Sequence, residues 1–79
     1  MRINGNRWFK MVEIPLTTVA RIMRKAGAKR VGQDAARAMA ELVEERALVI
    51  AGEAVKLAEH AGRRTVRDVD IRLATKKHS

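Results

Sequence analysis

Apolar residues recur at spacings of three and four in three stretches of this chain, and each stretch predicts a helix. The first runs from Pro15 to Ala26, with Val19, Ile22, Met23 and Ala26 on one face and Arg21, Arg24 and Lys25 off it. Proline suits a first helical turn, where its missing N–H is no loss, and Gly27 sits where a glycine ends a helix. The second stretch runs without proline from about Gln33 to Ala61 and stops at Gly62. Its polar stripe is Asp34, Arg37, Glu41, Glu44 and Glu45, resuming at Glu53, Lys56 and Glu59. The stripe fails at Ala47-Leu48-Val49-Ile50-Ala51, where the helix is apolar all round and needs cover on several sides. The third stretch, Asp68 to Lys76, carries Val69, Ile71, Leu73 and Ala74. Two short loops join the three helices, each holding basic residues followed by valine: Lys29-Arg30-Val31 and Arg63-Arg64-Thr65-Val66.

The central helix is too long for one chain of this size. At ~1.5 Å per residue it is a rod of roughly 40 Å, whereas a compact chain of this length is about 30 Å across. Its apolar positions extend from Ala35 and Met39 to Val55 and Leu57, and one copy cannot cover them all. The sequence therefore implies a partner, and the failed stripe marks the place where two rods cross. Composition agrees. Hydrophobic residues make up 47% of the 79, but thirteen of them are alanine, so little volume is available for a core. Chains this small commonly need a further device, and the absence of cysteine excludes a disulfide. That absence also fits a reducing compartment.

The net charge of +8 selects the class of partner. Eleven of the 17 basic residues are arginine, whose planar fork suits phosphate and groove contacts. Such a chain favours a polyanion. No apolar run approaches the ~20 residues that span a bilayer, and Trp8-Phe9 is flanked by Arg7 and Lys10 rather than set in an apolar signal core. The expected location is intracellular, in the soluble phase. Residues 1–11 read as an arm added to a domain of residues 12–77. The arm holds both aromatics, and Asn4-Gly5 is a turn signal that could close a small hairpin. Its basic flanks leave an acidic lipid surface open as an alternative contact for that segment. The only serine is Ser79, and cysteine and tyrosine are absent, so no nucleophile–base set can be assembled. An enzyme is not expected, nor are a cofactor, a small-molecule substrate or a metal: His60 alone supplies no ligand set.

The segments Ala26-Gly27-Ala28-Lys29-Arg30-Val31 and Glu53-Ala54-Val55-Lys56-Leu57-Ala58-Glu59-His60-Ala61-Gly62-Arg63-Arg64-Thr65-Val66 closely resemble the archaeal histones. Glu13-Ile14-Pro15-Leu16 and Asp70-Ile71-Arg72-Leu73-Ala74 resemble that family's two ends, so the match covers about 12–77. The resemblance implies an all-α histone fold, in which two chains clasp head to tail with long helices crossed and each first loop lies beside the partner's second. It implies a histone that binds double-stranded DNA without reading sequence and wraps or compacts it. Arg30 is then the arginine that enters the inward-facing minor groove, as arginines of the histone octamer do. Arg64, Thr65 and Arg67 would contact phosphate from the second loop, and Arg21, Arg24 and Lys25 from the first helix. Thr65 has a local alternative, because Thr65-x-x-Asp68 fits a capping box. Arg63 and Asp70 resemble the family's structural ion pair. Leu57, His60, Asp70 and Leu73 match the surface where dimers meet, which implies a homodimer extending to a tetramer or filament, or pairing with a histone paralogue. The alternative is a histone-fold interaction module, such as one component of a transcription complex. The chain departs from the family at Gly32, which replaces a hydroxyl cap, and at Leu48 and Val49, which make the middle of the long helix more apolar.

Overall fold

The computed structural model describes residues 12–77. Among them are three helices and no strand: α1 (Leu16–Lys25), α2 (Gln33–His60) and α3 (Asp68–Lys77). The all-α expectation is met, and each boundary falls within a residue or two of the predicted one. Pro15 and Ala26 prove to be the caps of α1 rather than its first and last residues. Pro15 is extended (φ −60, ψ 131), and its carbonyl accepts the N–H groups of Thr18 and Val19. The arm, its Asn4-Gly5 turn and the Trp8-Phe9 pair lie outside the described residues.

Two glycines end α1 and α2 by one device. Gly27 has φ 118 and Gly62 has φ 75, the left-handed region that costs a side chain dearly. After α1, the Gly27 N–H donates to the Arg24 carbonyl and the Ala28 N–H to the Met23 carbonyl. After α2, the Gly62 N–H donates to Glu59 and the Arg63 N–H to Ala58. Both are Schellman turns, which satisfy the last carbonyls and send the chain out at a fixed angle. The two basic loops thus begin in the same backbone geometry.

The chain divides into two compact units, one ending at Glu44 and the other beginning at Glu45. In the first unit the buried side chains are Val19 of α1 and Ala36 and Ala40 of α2. The Glu13 N–H donates to the Glu44 Oε1 at 2.8 Å, fixing the segment that enters α1. In the second unit the buried side chains are Ala54 and Ala58 of α2 and Asp70 and Ala74 of α3. Lys77 Nζ bonds Glu53 Oε2 at 3.0 Å, tying the end of α3 back to α2.

Among the described residues, the buried apolar set is therefore one valine and five alanines. Eleven larger apolar side chains are 39% exposed or more, among them Leu42, Val43, Leu48, Val55 and Ile71. Burying such a side chain completely from full exposure is worth on the order of 1.5–3 kcal/mol, and each stands to gain a share of that. The alanines make the helix seams narrow, so added volume there should be poorly tolerated. Ala54, fully buried, has no room to grow. We expect Ala54→Leu to lower stability by about 1–3 kcal/mol in urea unfolding at fixed protein concentration, whereas Arg72→Ala, on an exposed i,i+4 pair, should change it by less than about 0.5.

Candidate nucleic-acid interface

The first basic surface is built on α1. Its helical period places Val19 inward and gathers Arg21, Arg24 and Lys25 on the opposite arc, and all three are exposed. Arg24 and Lys25 also sit in the last turn, where cations offset the negative helix end. Past the Gly27 turn, Lys29 and Arg30 are exposed, and Gly32 opens α2 by accepting the Ala36 N–H at 3.0 Å.

The second loop is held by one carboxylate. Asp70, only 2% exposed, receives a two-pronged bond from Arg63: Nη1 to Oδ2 at 2.8 Å and Nη2 to Oδ1 at 2.9 Å. The Arg67 N–H donates to the same Oδ2 at 2.8 Å. Arg63 Nη1 also donates to the Thr65 carbonyl at 3.1 Å. Four bonds thus fix both ends and the middle of the loop. Arg64, Thr65 and Arg67 are left exposed on a constrained backbone. Forked arginine–carboxylate pairs are among the stronger polar contacts, and a pinned loop loses less entropy on meeting a ligand.

The bonds from Arg63, then the bond from the Arg67 N–H, hold the Asp70 carboxyl down at about 2 against the opposing effect of burial. The same Asp70 bond pushes the Arg63 guanidinium further up.

Asp70 also supplies the start of α3. It is the third helical residue and reaches back to the N–H of Arg67, whose carbonyl accepts from Asp70 and Ile71. That is the returning half of a capping box, with Arg67 as the cap. Thr65-x-x-Asp68 is therefore not the box, since a cap at Thr65 would start the helix two residues too early. The signal was present in Arg67-x-x-Asp70. Neither the Glu13–Glu44 bond, spanning 31 residues, nor the Lys77–Glu53 bond has a local sequence signal.

The remaining expected positions fall in the second unit. His60 is exposed in the last turn of α2, Leu57 is half-buried, and Leu73 of α3 is half-exposed. No group of three metal-ligating side chains occurs among the described residues. No helix among them is long and apolar enough to cross a membrane.

The family model for histone-like transcription factors (CBF/NF-Y) and archaeal histones matches residues 12–75. The chain belongs to the archaeal histone family. It is 50% identical over 66 residues to one of the archaeal histone HAN1 subunits of Thermococcus zilligii, covering 84% of this chain and 98% of that protein. It is 47% identical over 64 residues to probable archaeal histone 3 of Methanocaldococcus jannaschii, covering 81% and 96%. The three helices in short, long, short order are the histone fold, whose standard form is the handshake dimer. Archaeal histones are DNA-binding structural proteins, not enzymes.

In this histone the Asp70 lock titrates. Its folded carboxyl lies below the ordinary 3.8, so its stabilisation is present above that value and is lost as pH falls toward about 2. We expect Asp70→Asn to reduce stability at neutral pH and to flatten the loss between about pH 4 and 2, measured by urea unfolding at one protein concentration across that range.

Proposed function

We propose that this chain is a non-sequence-specific DNA-packaging histone: its domain, residues 12–77, forms dimers that wrap or compact double-stranded DNA in the nucleoid. Arg30 enters the minor groove where it faces the protein. Arg64, Thr65 and Arg67 contact phosphate from the second loop, and Arg21, Arg24 and Lys25 from α1. The observation that most supports this reading is the Asp70 lock. It consumes Arg63 in holding the loop and leaves Arg64, Thr65 and Arg67 exposed at fixed positions. A net charge of +8 supplies the long-range attraction.

Homodimers extend into tetramers or filaments through Leu57, His60, Asp70 and Leu73. Three bonds reach the Asp70 carboxylate within the chain, two of them at Oδ2, so Oδ1 keeps one acceptor site for a donor from a neighbouring dimer. The HAN1 relative, named as a subunit, favours a second form, in which this chain pairs with a histone paralogue. A further reading, a histone-fold module that pairs with a transcription-complex component, is favoured by the other half of the matching family description. A chain that folds only with an unlike partner and ignores DNA would establish that reading.

The DNA reading predicts a steep dependence on salt. The log–log slope of affinity against salt should be roughly −5 to −9 if about 6–10 phosphates are neutralised per dimer, with little preference among sequences beyond bendability. Arg30→Ala with Arg64→Ala should weaken binding and make the slope shallower. Nuclease digestion separates the assemblies: a ladder of protected lengths indicates stacked dimers, and a single band a closed particle. Absence of protection, or wild-type affinity in the double variant, would reject wrapping by these loops.

A further inference from the structure

Between Glu13 and Asp34 the chain holds Arg21, Arg24, Lys25, Lys29 and Arg30 and no acidic residue. All five are exposed, and none of them forms an ion pair among the described residues. The second loop differs, because there Asp70 answers Arg63 at 2.8 Å. Cations gathered without a counter-charge repel one another, and an anion relieves that repulsion. Four of the five already have a place on the DNA surface. Lys29 has none.

Helix capping does not account for it. Arg24 and Lys25 lie in the last turn of α1 and offset its negative end, whereas Lys29 stands beyond the Gly27 turn. The loop seats its two ends and turns out its middle. The Gly27 N–H donates to the Arg24 carbonyl at 3.0 Å and the Ala28 N–H to the Met23 carbonyl at 3.1 Å, which fixes the backbone just before Lys29. Ala28 and Val31 are half-buried, and Lys29 and Arg30 between them are exposed. Two cations of different kinds are thus presented side by side, with Cα atoms ~3.8 Å apart.

The difference between them matters at a groove. A guanidinium is planar and weakly hydrated, so it tolerates a narrow slot; an ammonium is a compact, strongly hydrated point charge that suits a phosphate facing solvent. The minor groove is about 6 Å wide and is walled by the two phosphate strands. A residue next in sequence to one that enters the groove stands at that wall.

We propose that Lys29 is a further DNA-binding residue, whose ammonium holds a phosphate at the edge of the minor groove that Arg30 enters. Each first loop then grips DNA at two points, one in the groove and one on its wall. The assignment rests on the packaging reading and adds a residue to its surface.

The test is the affinity of the full chain for duplex DNA as a function of salt, on a mixed-sequence duplex and on an A-tract duplex. Each phosphate contact contributes about −0.9 to the log–log slope, and a dimer carries Lys29 twice. Lys29→Ala should therefore make the slope shallower by about 2 and weaken binding roughly tenfold, equally on both duplexes. Lys29→Arg keeps the charge and should keep the slope. Lys56→Ala removes the same charge from α2, beside Glu59 and His60 and outside the proposed DNA surface, and should leave the slope unchanged. Urea unfolding of Lys29→Ala should coincide with that of the wild type, as expected of an exposed loop charge. A wild-type slope in Lys29→Ala would overturn the assignment, as would equal losses in Lys29→Ala and Lys56→Ala, which would reduce the effect to net charge. If Arg30→Ala with Arg64→Ala weakens binding while Lys29→Ala does not, this assignment alone fails; if the double variant also binds as the wild type does, the packaging reading fails with it.

Discussion

The governing constraint is a core made of alanine. Val19, Ala36, Ala40, Ala54, Ala58 and Ala74 are the buried apolar residues, and none of the described leucines, isoleucines or methionines joins them. Burial scales with apolar area, so these small side chains supply little of the driving force that a chain of this size needs. The larger apolar residues lie mostly on the surface, chiefly along α2 and α3. The handshake dimer, standard for the histone fold, brings a second chain that can cover such side chains. The same alanines let helices of one chain approach closely, so the feature that limits the driving force also shapes the seams within each unit.

A second constraint acts on the loops. A cationic loop repels itself and gains nothing from order unless something fixes it. Here each loop leaves its helix through a glycine in left-handed geometry. The second is then pinned by Asp70, which neutralises Arg63, binds the Arg67 N–H and starts α3. One buried carboxylate thus serves helix capping, loop fixation and charge balance. Its position explains why Arg63 and Arg64, adjacent in sequence, have separate tasks: one is inside the lock and the other is presented by it.

Much of this was legible in the sequence, for local reasons. Gly27 and Gly62 mark helix ends because few other residues adopt positive φ there, and α1 is set by the spacing of Val19, Ile22 and Met23. The excessive length of α2 signals a partner from sequence alone. What stayed hidden depends on tertiary approach. The bond from Glu13 to Glu44 joins residues 31 apart. The start of α3 was legible, but its cap was not: Thr65-x-x-Asp68 offers a capping alternative that the structure does not use, and Arg67-x-x-Asp70 lacks the hydroxyl that usually signals a cap. The sequence marks the stretch around Leu48 and Val49 as needing cover where two rods cross, but period shows which residues share a face and not which faces a partner reaches.

Mutual burial of the central helices is the claim on which the DNA surface depends, because stability then includes the concentration of chains. Thermal unfolding of the DNA-free protein over several decades of concentration, with sedimentation equilibrium on the same samples, tests it most directly. The account predicts a midpoint that climbs steadily with concentration and a folded species of twice the chain mass. A midpoint independent of concentration, with a folded species of single-chain mass, would contradict it.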